Sequence, residues 1–488
     1  MFPDDIARRH DDMPGYELVD FAEIALPLWQ LSVEAISIAH RRFPPIQEFV
    51  LQGVAAGLSK TEVSGFLGLE QSVVDGTVTQ LVLERLIRES EPSDTGEVEL
   101  ALTEDGIRAL DDEGIAAPVE DQFQIFFDGI SRLQTFVPSD QLAHPRETEA
   151  GRLVELPALP PVKPEVTDLK VADVQQLLAQ QSGGRSEFGR DIVSLKKIAR
   201  HRRMFRRGIG LVFKGKKDRG DLRLRILVGG VLATETERQF AERGGLARPG
   251  FVRAFSDNYL NSNLRRHLGR ELASAILDDD EATFRRREYS VAKLRLQALE
   301  RRLVMAASDE ISRSDAPTKA EYEKAKDQLE AASQALAQPG ARPAMVYEQP
   351  EFLRSALKGA KTSISISSLG LSSAYVNPEF VLPLEAALKR GVAVTIIVNR
   401  QAWERDKDRE QNARPYVLLT RMQSKYKKLE LDTSSENRYF HLCLDGQAAL
   451  VSNRSFLSNN GKNKTFEQYS GYFIQTPALT GRYLARVG

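Results

Sequence analysis

FLRSALKGAKTSISISSLGLSSAYVNPEFVLPLEAALKRGVAVTII, residues 352–397, decides the fold of the last third of this 488-residue chain. It opens as a helix and passes into an apolar strand. A longer helix follows, then an Arg390-Gly391-Val392 turn and a second apolar strand. The continuation RYFHLCLDGQAALVSNRSFLSNNGKNKTFEQYSGYFI, residues 438–474, reads as a strand ending in Asp445-Gly446, then another apolar run. Strand, crossover helix and strand make residues 345–488 an α/β lobe.

This order resembles one lobe of the phospholipase D superfamily. The resemblance implies a chemistry that rests on one motif, His-x-Lys followed five residues later by Asp. In such enzymes one His attacks phosphorus and another protonates the leaving group. Lys and polar neighbours hold the phosphate oxygens, and no metal is needed. Aligned on LCLDGQAALV, Asp445 takes the Asp position, but Arg438 stands at the His and Phe440 at the Lys. Ser452-Asn453-Arg454-Ser455 replaces the usual Gly-Ser-x-Asn, and Glu467 falls where members often carry an acid. Anchoring on His441 instead puts Cys443 at the Lys position and leaves Asp445 too close. None of the six histidines (His10, His40, His144, His201, His267, His441) is followed two residues later by Lys. The resemblance therefore implies a pseudo-catalytic lobe. Its residual catalytic candidates are His441, Asp445 and Glu467, and its phosphate-pocket candidates are Arg438, Asn453 and Arg454. The blander reading pairs His441 with Asp445 as structure inside a strand–turn.

Composition bounds the rest. A hydrophobic fraction of 42% supports real cores, and one cysteine, Cys443, excludes internal disulfides and multi-cysteine zinc sites. No apolar stretch reaches signal or membrane-span length, so a cytoplasmic protein without membrane contact is expected. No P-loop, HExxH or Gly-x-Ser-x-Gly occurs. Asp278-Asp279-Asp280-Glu281 reads as a solvated helix start, and no metal or cofactor is expected. The net charge of −1 conceals a strong asymmetry. Residues 1–160 hold 30 Asp/Glu against 11 Lys/Arg, whereas residues 185–225 hold 15 Lys/Arg against 4 acids.

Residues 1–150 are read as a helical region plus a compact unit at 46–110. An apolar helix begins at Ile46. Ser59 with Glu62 forms a capping box for the next helix, which Gly68 breaks. A longer helix runs from Ser72 to Leu86. A turn at Glu91–Gly96, the strand Val98–Leu102 and a helix capped by Thr103 complete the unit. This resembles a winged helix-turn-helix. The long helix carries Asp75 and Glu84 against the single internal base Arg85, which disfavours a phosphate-facing role and favours protein docking or self-association. Upstream, FAEIALPLWQLSVEAISIAHRRF reads as a further apolar helix.

Pro157, Pro160, Pro161 and Pro164 mark residues 151–185 as an extended linker and domain boundary. A basic α+β domain is expected at 186–280. A helix there places Lys197, Arg200, Arg203 and Arg207 on one face, followed by two strands flanking KGKKDRG. The candidate nucleic-acid surface comprises Lys196, Lys197, Arg200, Arg202, Arg203, Arg206, Arg207, Lys214, Lys216, Lys217, Arg223 and Arg225. The alternative is neutralisation of this face by the acidic N-terminal third. Residues 281–340 read as a helical spacer or hairpin.

These parts predict a multidomain α+β and α/β protein. The expected role is a non-catalytic, DNA-associated adaptor or recognition subunit. Parts of this kind resemble those of bacterial multi-component systems such as anti-phage defence. A divergent phospholipase D-type nuclease and a winged-helix transcriptional regulator are the alternatives.

Overall fold

The structure is a computed structural model and describes residues 2–89, 99–111, 114–149, 152–181, 191–218, 220–256, 259–308, 317–338, 340–401, 410–435, 439–460 and 464–487. Its architecture is mixed α and β, organised around two large sheets.

The first sheet begins with a 27-residue strand, β1 (Tyr16–Arg42), where a helix was expected. Leu31, Val33 and Ala35 are buried and alternate with the half-buried Gln30, Ser32 and Glu34, a period of two. Pro27 sits inside the same run and would break a helix interior. At the far end of β1 the chain leaves the sheet to build a small unit. Its helices are Pro45–Ala55, Lys60–Leu67 and Gln71–Leu83, followed by a hairpin of β2 (Ile87–Glu89) and β3 (Leu100–Leu102) and the helix Glu104–Asp111. The Ser59 hydroxyl accepts the Glu62 N–H, and the Glu62 carboxylate accepts the Ser59 N–H at 2.9 Å. Gly68 ends that helix at φ 63°. The turn expected at Glu91–Gly96 lies outside the described residues.

The chain returns through β4 (Gly114–Asp128), which pairs antiparallel with β1, so the small unit is an insertion at the tip of a long hairpin. β5 (Gln134–Thr135) extends the edge, and β6 (Leu142–Ala143) pairs with a later strand. The proline-rich stretch is no free linker. Within it β7 (Val154–Glu155) pairs parallel to β1, and Leu156 and Leu159 are buried among Ile24, Leu26 and Ile226. Prolines suit such an edge because they remove donors that would otherwise lack partners.

The basic stretch is also a strand, not a helix: β8 (Asp191–Gly215, 25 residues) runs antiparallel to β1 along most of its length. β9 (Leu222–Val228) and β10 (Val231–Leu232) complete this sheet. Long helices Asp279–Ala307 and Lys319–Ala337 then pack on one another. Asp278 caps the first of them, its carboxylate accepting the Asp280 N–H at 3.2 Å.

The second sheet holds β11 (Ala341–Pro343), β12 (Ser363–Ser368), β13 (Ala393–Asn399), β14 (Leu429–Ser435), β15 (Phe440–Leu444), β16 (Ala448–Ser452) and β17 (Gly471–Ile474), in the order β11-β17-β16-β15-β12-β13-β14. β12, β13 and β14 are parallel, and β12 is antiparallel to β15. Helices Glu348–Gly359 and Pro378–Lys389 bury Phe352, Ala356, Phe380 and Leu384 against Ile364, Ile366, Val394 and Leu442.

The two sheets pack together. Tyr347 and Tyr469 from the C-terminal region join Leu18, Leu211 and Phe213 in one cluster, and Phe466 joins the Ile24–Val212 cluster. The N-terminal helix Pro3–Arg9 adds ion pairs from Asp4 to Arg354 and from Arg8 to Glu351. Among the described residues no helix is long and apolar enough to cross a membrane.

Candidate functional site

Strand period sends Phe440 and Cys443, the residues at the Lys position in the two alignments, to opposite faces of β15. Along β15, Phe440 and Leu442 face the core under the Glu348–Gly359 helix, while His441 and Cys443 face the opposite side. There the helices Tyr259–Leu268, Arg270–Ser274 and Pro477–Val487 cover them through Leu264, Leu268, Leu272 and Tyr483. His441 is only 3% exposed. Its ring lies 3.2 Å from each of the Ser365 and Ser367 hydroxyls and 3.5 Å from the Tyr483 hydroxyl. Burial, reinforced by His267, pushes its pKa down to about 4, so the ring is neutral at pH 7.

Asp445 sits in the β15–β16 turn at φ 52°. It accepts N–H groups from Lys361, Thr362 and Ser363 at 2.7–3.2 Å, and the Thr362 hydroxyl at 2.9 Å. Burial opposes its charge, but these donors outweigh that and hold the carboxyl near 2. The pairing of His441 with Asp445 is thus not found: among the described residues no hydrogen bond joins them. Each anchors a different end of its strand. Among the described residues, no cluster of three or more His, Cys, Asp or Glu is placed to hold a metal.

The remaining lobe candidates do converge. Arg454 and Glu467 lie on the segment between β16 and β17, and Asn453 adjoins them. The Asn453 amide donates to the Gln468 carbonyl at 2.8 Å and accepts the Ser470 N–H at 2.9 Å, which fixes that segment. Asn460 donates to the Glu467 carboxylate at 2.8 Å. The Arg454 guanidinium donates to Asp20 of β1 at 2.6 Å and stacks near the Tyr469 ring. Asp20 had no place in the sequence reading, because it lies more than four hundred positions away and only tertiary packing delivers it. Beside the pair, Tyr375, Ser458, Asn459, Lys464 and Thr465 line a cavity of about 30 Å³, room for about one water. Arg438 lies outside the described residues.

The twelve basic candidates are scattered by β8 rather than gathered on a helix face. Lys214 is buried, with its ammonium donating to the Phe255 carbonyl at 2.6 Å and to Gln468 at 3.0 Å, so it is no surface contact. Lys196 pairs with Glu120, Lys197 with Glu34 at 3.2 Å, Arg203 with Glu155 and Arg207 with Glu147. All four acids come from the acidic N-terminal third. Arg206 donates to Gln141 at 3.0 and 3.1 Å. Arg225 donates to the carbonyls of His10 and Asp12, and Arg223 lies over the Tyr16 ring. Lys216 and Lys217 are exposed in the β8–β9 connection.

Arg200 and Arg202 are exposed on one face of the ribbon formed by β8, β1 and β4. Arg200 pairs with Ser32 and Arg202 with Gln30 across the ladder, and Gln122 and Gln124 continue the same polar face. Gln30 donates to Gln124 at 2.8 Å, and Gln122 donates to Ser32 at 2.9 Å. The opposite face carries Leu31, Val33 and Ile125 under the helix Val171–Gln181.

The helix Gln71–Leu83 exposes Gln71, Ser72, Val73, Gly76, Thr79, Gln80 and Leu83, none of them basic. Leu83 is 78% exposed, and Phe66 on the preceding helix is 81% exposed.

No protein-family profile and no curated protein matches the chain. Solved structures similar to parts of it include Nuc, a phospholipase D family member from Salmonella typhimurium, at 19% identity over 28% of this chain and 81% of that one, with a TM-score of 0.22. NucT from Helicobacter pylori is similar at 14% identity over 30% of this chain and 90% of that one, with a TM-score of 0.21. TrmBL2, an archaeal chromatin protein with a novel mode of DNA binding, is similar at 17% identity over 34% of this chain and 62% of that one, with a TM-score of 0.22.

Proposed function

We propose that this chain is a non-catalytic, nucleic-acid-associated adaptor with a pseudo-catalytic phospholipase D-like lobe and an inserted winged helix. The observation that carries the nucleic-acid part is the ribbon face of β8. Arg200 and Arg202 are two residues apart on one strand, so their side chains rise from the same face roughly 6.6 Å apart. Their cross-strand neighbours are the amides of Gln30 and Gln124 and the Ser32 hydroxyl, and the next acid on this face, Glu34, is paired with Lys197. An exposed polar sheet face with arginines outside any ion pair among the described residues suits backbone phosphates without demanding a sequence.

The non-catalytic part rests on the fate of the motif positions. His441 is sealed beneath three helices and held neutral, and the Arg454 pocket already contains a carboxylate. The exposed Phe66 and Leu83 favour protein docking over groove reading for the inserted unit.

The test is binding of labelled random-sequence duplex across a salt series, with the same samples run on a denaturing gel in chelator. Intact DNA and binding that weakens steeply with salt are expected. Arg200→Ala with Arg202→Ala should lower the slope of log K against log salt by about 2. Absence of binding at low salt refutes the nucleic-acid reading, and cleavage refutes the non-catalytic one.

A further inference from the structure

The contact between Asp20 and Arg454 has the form of a filled binding site. Asp20 is 1% exposed, an uncommon place for a carboxylate unless its charge is met. One oxygen accepts the Arg454 guanidinium at 2.6 Å and the Phe21 N–H at 2.6 Å, and the other accepts the Glu467 N–H at 2.8 Å. A guanidinium and two backbone N–H groups thus converge on one carboxylate, the donor set that recognises an oxyanion.

The strand is bent to make this delivery. The ladder between β1 and β8 slips between Leu18 and Asp20, so Val19 is an extra residue at a β-bulge. A bulge re-aims the side chain beside it, here toward the C-terminal lobe. The Val19 carbonyl accepts the Tyr469 N–H at 3.0 Å, which locks the bulge to that lobe. The donors on the lobe are held independently of Asp20. Asn453 and Asn460 tie residues 453–460 to Glu467 and Gln468 through their own hydrogen bonds, and the Arg454 N–H donates to Ser452 at 3.2 Å. The small cavity opens beside the carboxylate, with Lys464 on its wall.

We infer that the Arg454 pocket of the C-terminal lobe is an oxyanion seat, and that the protein's own Asp20 carboxylate occupies it as an internal ligand. The lobe contributes the Arg454 guanidinium and the Glu467 N–H to the seat, and β1 supplies the occupant together with the adjoining Phe21 N–H. While β1 is in place, carboxylate and phosphate groups from outside are excluded. Removing the carboxylate, with the rest of the strand kept, exposes the seat to small oxyanions. This inference does not depend on the strand-face contact proposed above.

The test uses the full chain, Asp20→Ala, and Asp20→Ala combined with Arg454→Met. Each protein is titrated calorimetrically with inorganic phosphate and with acetate, and its melting temperature is followed in both anions and in chloride at matched ionic strength. Asp20→Ala is expected to melt lower than the parent, to bind either oxyanion with one-to-one stoichiometry, and to regain at least half of the lost melting temperature, whereas chloride restores little. The parent and the double variant should show neither binding nor recovery. If Asp20→Ala does not fold in chloride, the same comparison is read from its refolding yield with and without acetate. An ion pair that only fastens the two sheets predicts the melting loss without stoichiometric oxyanion binding, and that result overturns the inference. So does equal recovery in chloride, or oxyanion binding that survives Arg454→Met.

Discussion

His441 makes the C-terminal lobe sensitive to acid over a defined range. The ring is 3% exposed, sits against Ser365, Ser367 and Tyr483, and has a pKa pushed down to about 4. In an unfolded chain a histidine titrates near 6.5. A folded-state pKa below the unfolded value means that the fold prefers the neutral ring. The contribution is fully present above about pH 6.5 and is lost as pH falls toward 4. With 1.36 kcal/mol per pKa unit, the loss between pH 7 and pH 4 is about 3 kcal/mol. His441→Gln retains hydrogen-bonding capacity for the serines and removes the titration. Hydrogen exchange of a peptide spanning Phe440–Leu444, corrected for the intrinsic pH dependence of exchange, reads the local opening free energy. The parent should lose about 3 kcal/mol more than the variant between pH 7 and pH 4. His267, whose pKa burial also lowers, is common to both proteins and cancels to first order in the difference. Parallel curves for the two proteins would refute the account of a buried, neutral His441.

Other substitutions probe the joints of the fold. Asp445→Ala strips the acceptor from the N–H groups of Lys361, Thr362 and Ser363, and should cost about 1–3 kcal/mol in denaturant unfolding of the lobe. Its folded pKa near 2 adds stability that is present above the unfolded value and lost as pH falls through 2, the region where the parent but not the variant should weaken. Arg342→Ala leaves Glu348 buried without its two guanidinium contacts at 2.7 and 2.9 Å, with an expected loss of about 3–5 kcal/mol by thermal or chemical denaturation. Gly106→Ala would place a Cβ 2.0 Å from the Leu86 carbonyl oxygen, so limited proteolysis should cut the Glu104–Asp111 helix faster than in the parent.

Local chemistry wrote several elements plainly into the sequence. Ser59 with Glu62, Gly68 and Thr103 act within a few residues of themselves, so their caps and breaks are legible without a partner. The β12–β13 unit was legible for the same reason. Its strands are short apolar runs, and its crossover helix has its own cap and stop. The long strands β1 and β8 were not. Apolar and basic residues in β8 satisfy helical spacing nearly as well as alternation, and each strand becomes stable only through the other. The proline-rich stretch misled in the same way, because its edge strand β7 exists only against β1.

The sequence by itself determined that the His-x-Lys pair is absent, that one cysteine precludes internal disulfides, and that acidic and basic charge are segregated along the chain. These are properties of residue type and count, which folding cannot change. Tertiary structure alone decided how those charges are used. It set Glu34, Glu120, Glu147 and Glu155 against four of the basic candidates, buried Lys214, and left Arg200 and Arg202 on an open face. It also brought Asp20 to Arg454 across more than four hundred positions through a bulge in β1. Contacts of that range depend on strand register and on the packing of two sheets, which no local pattern encodes.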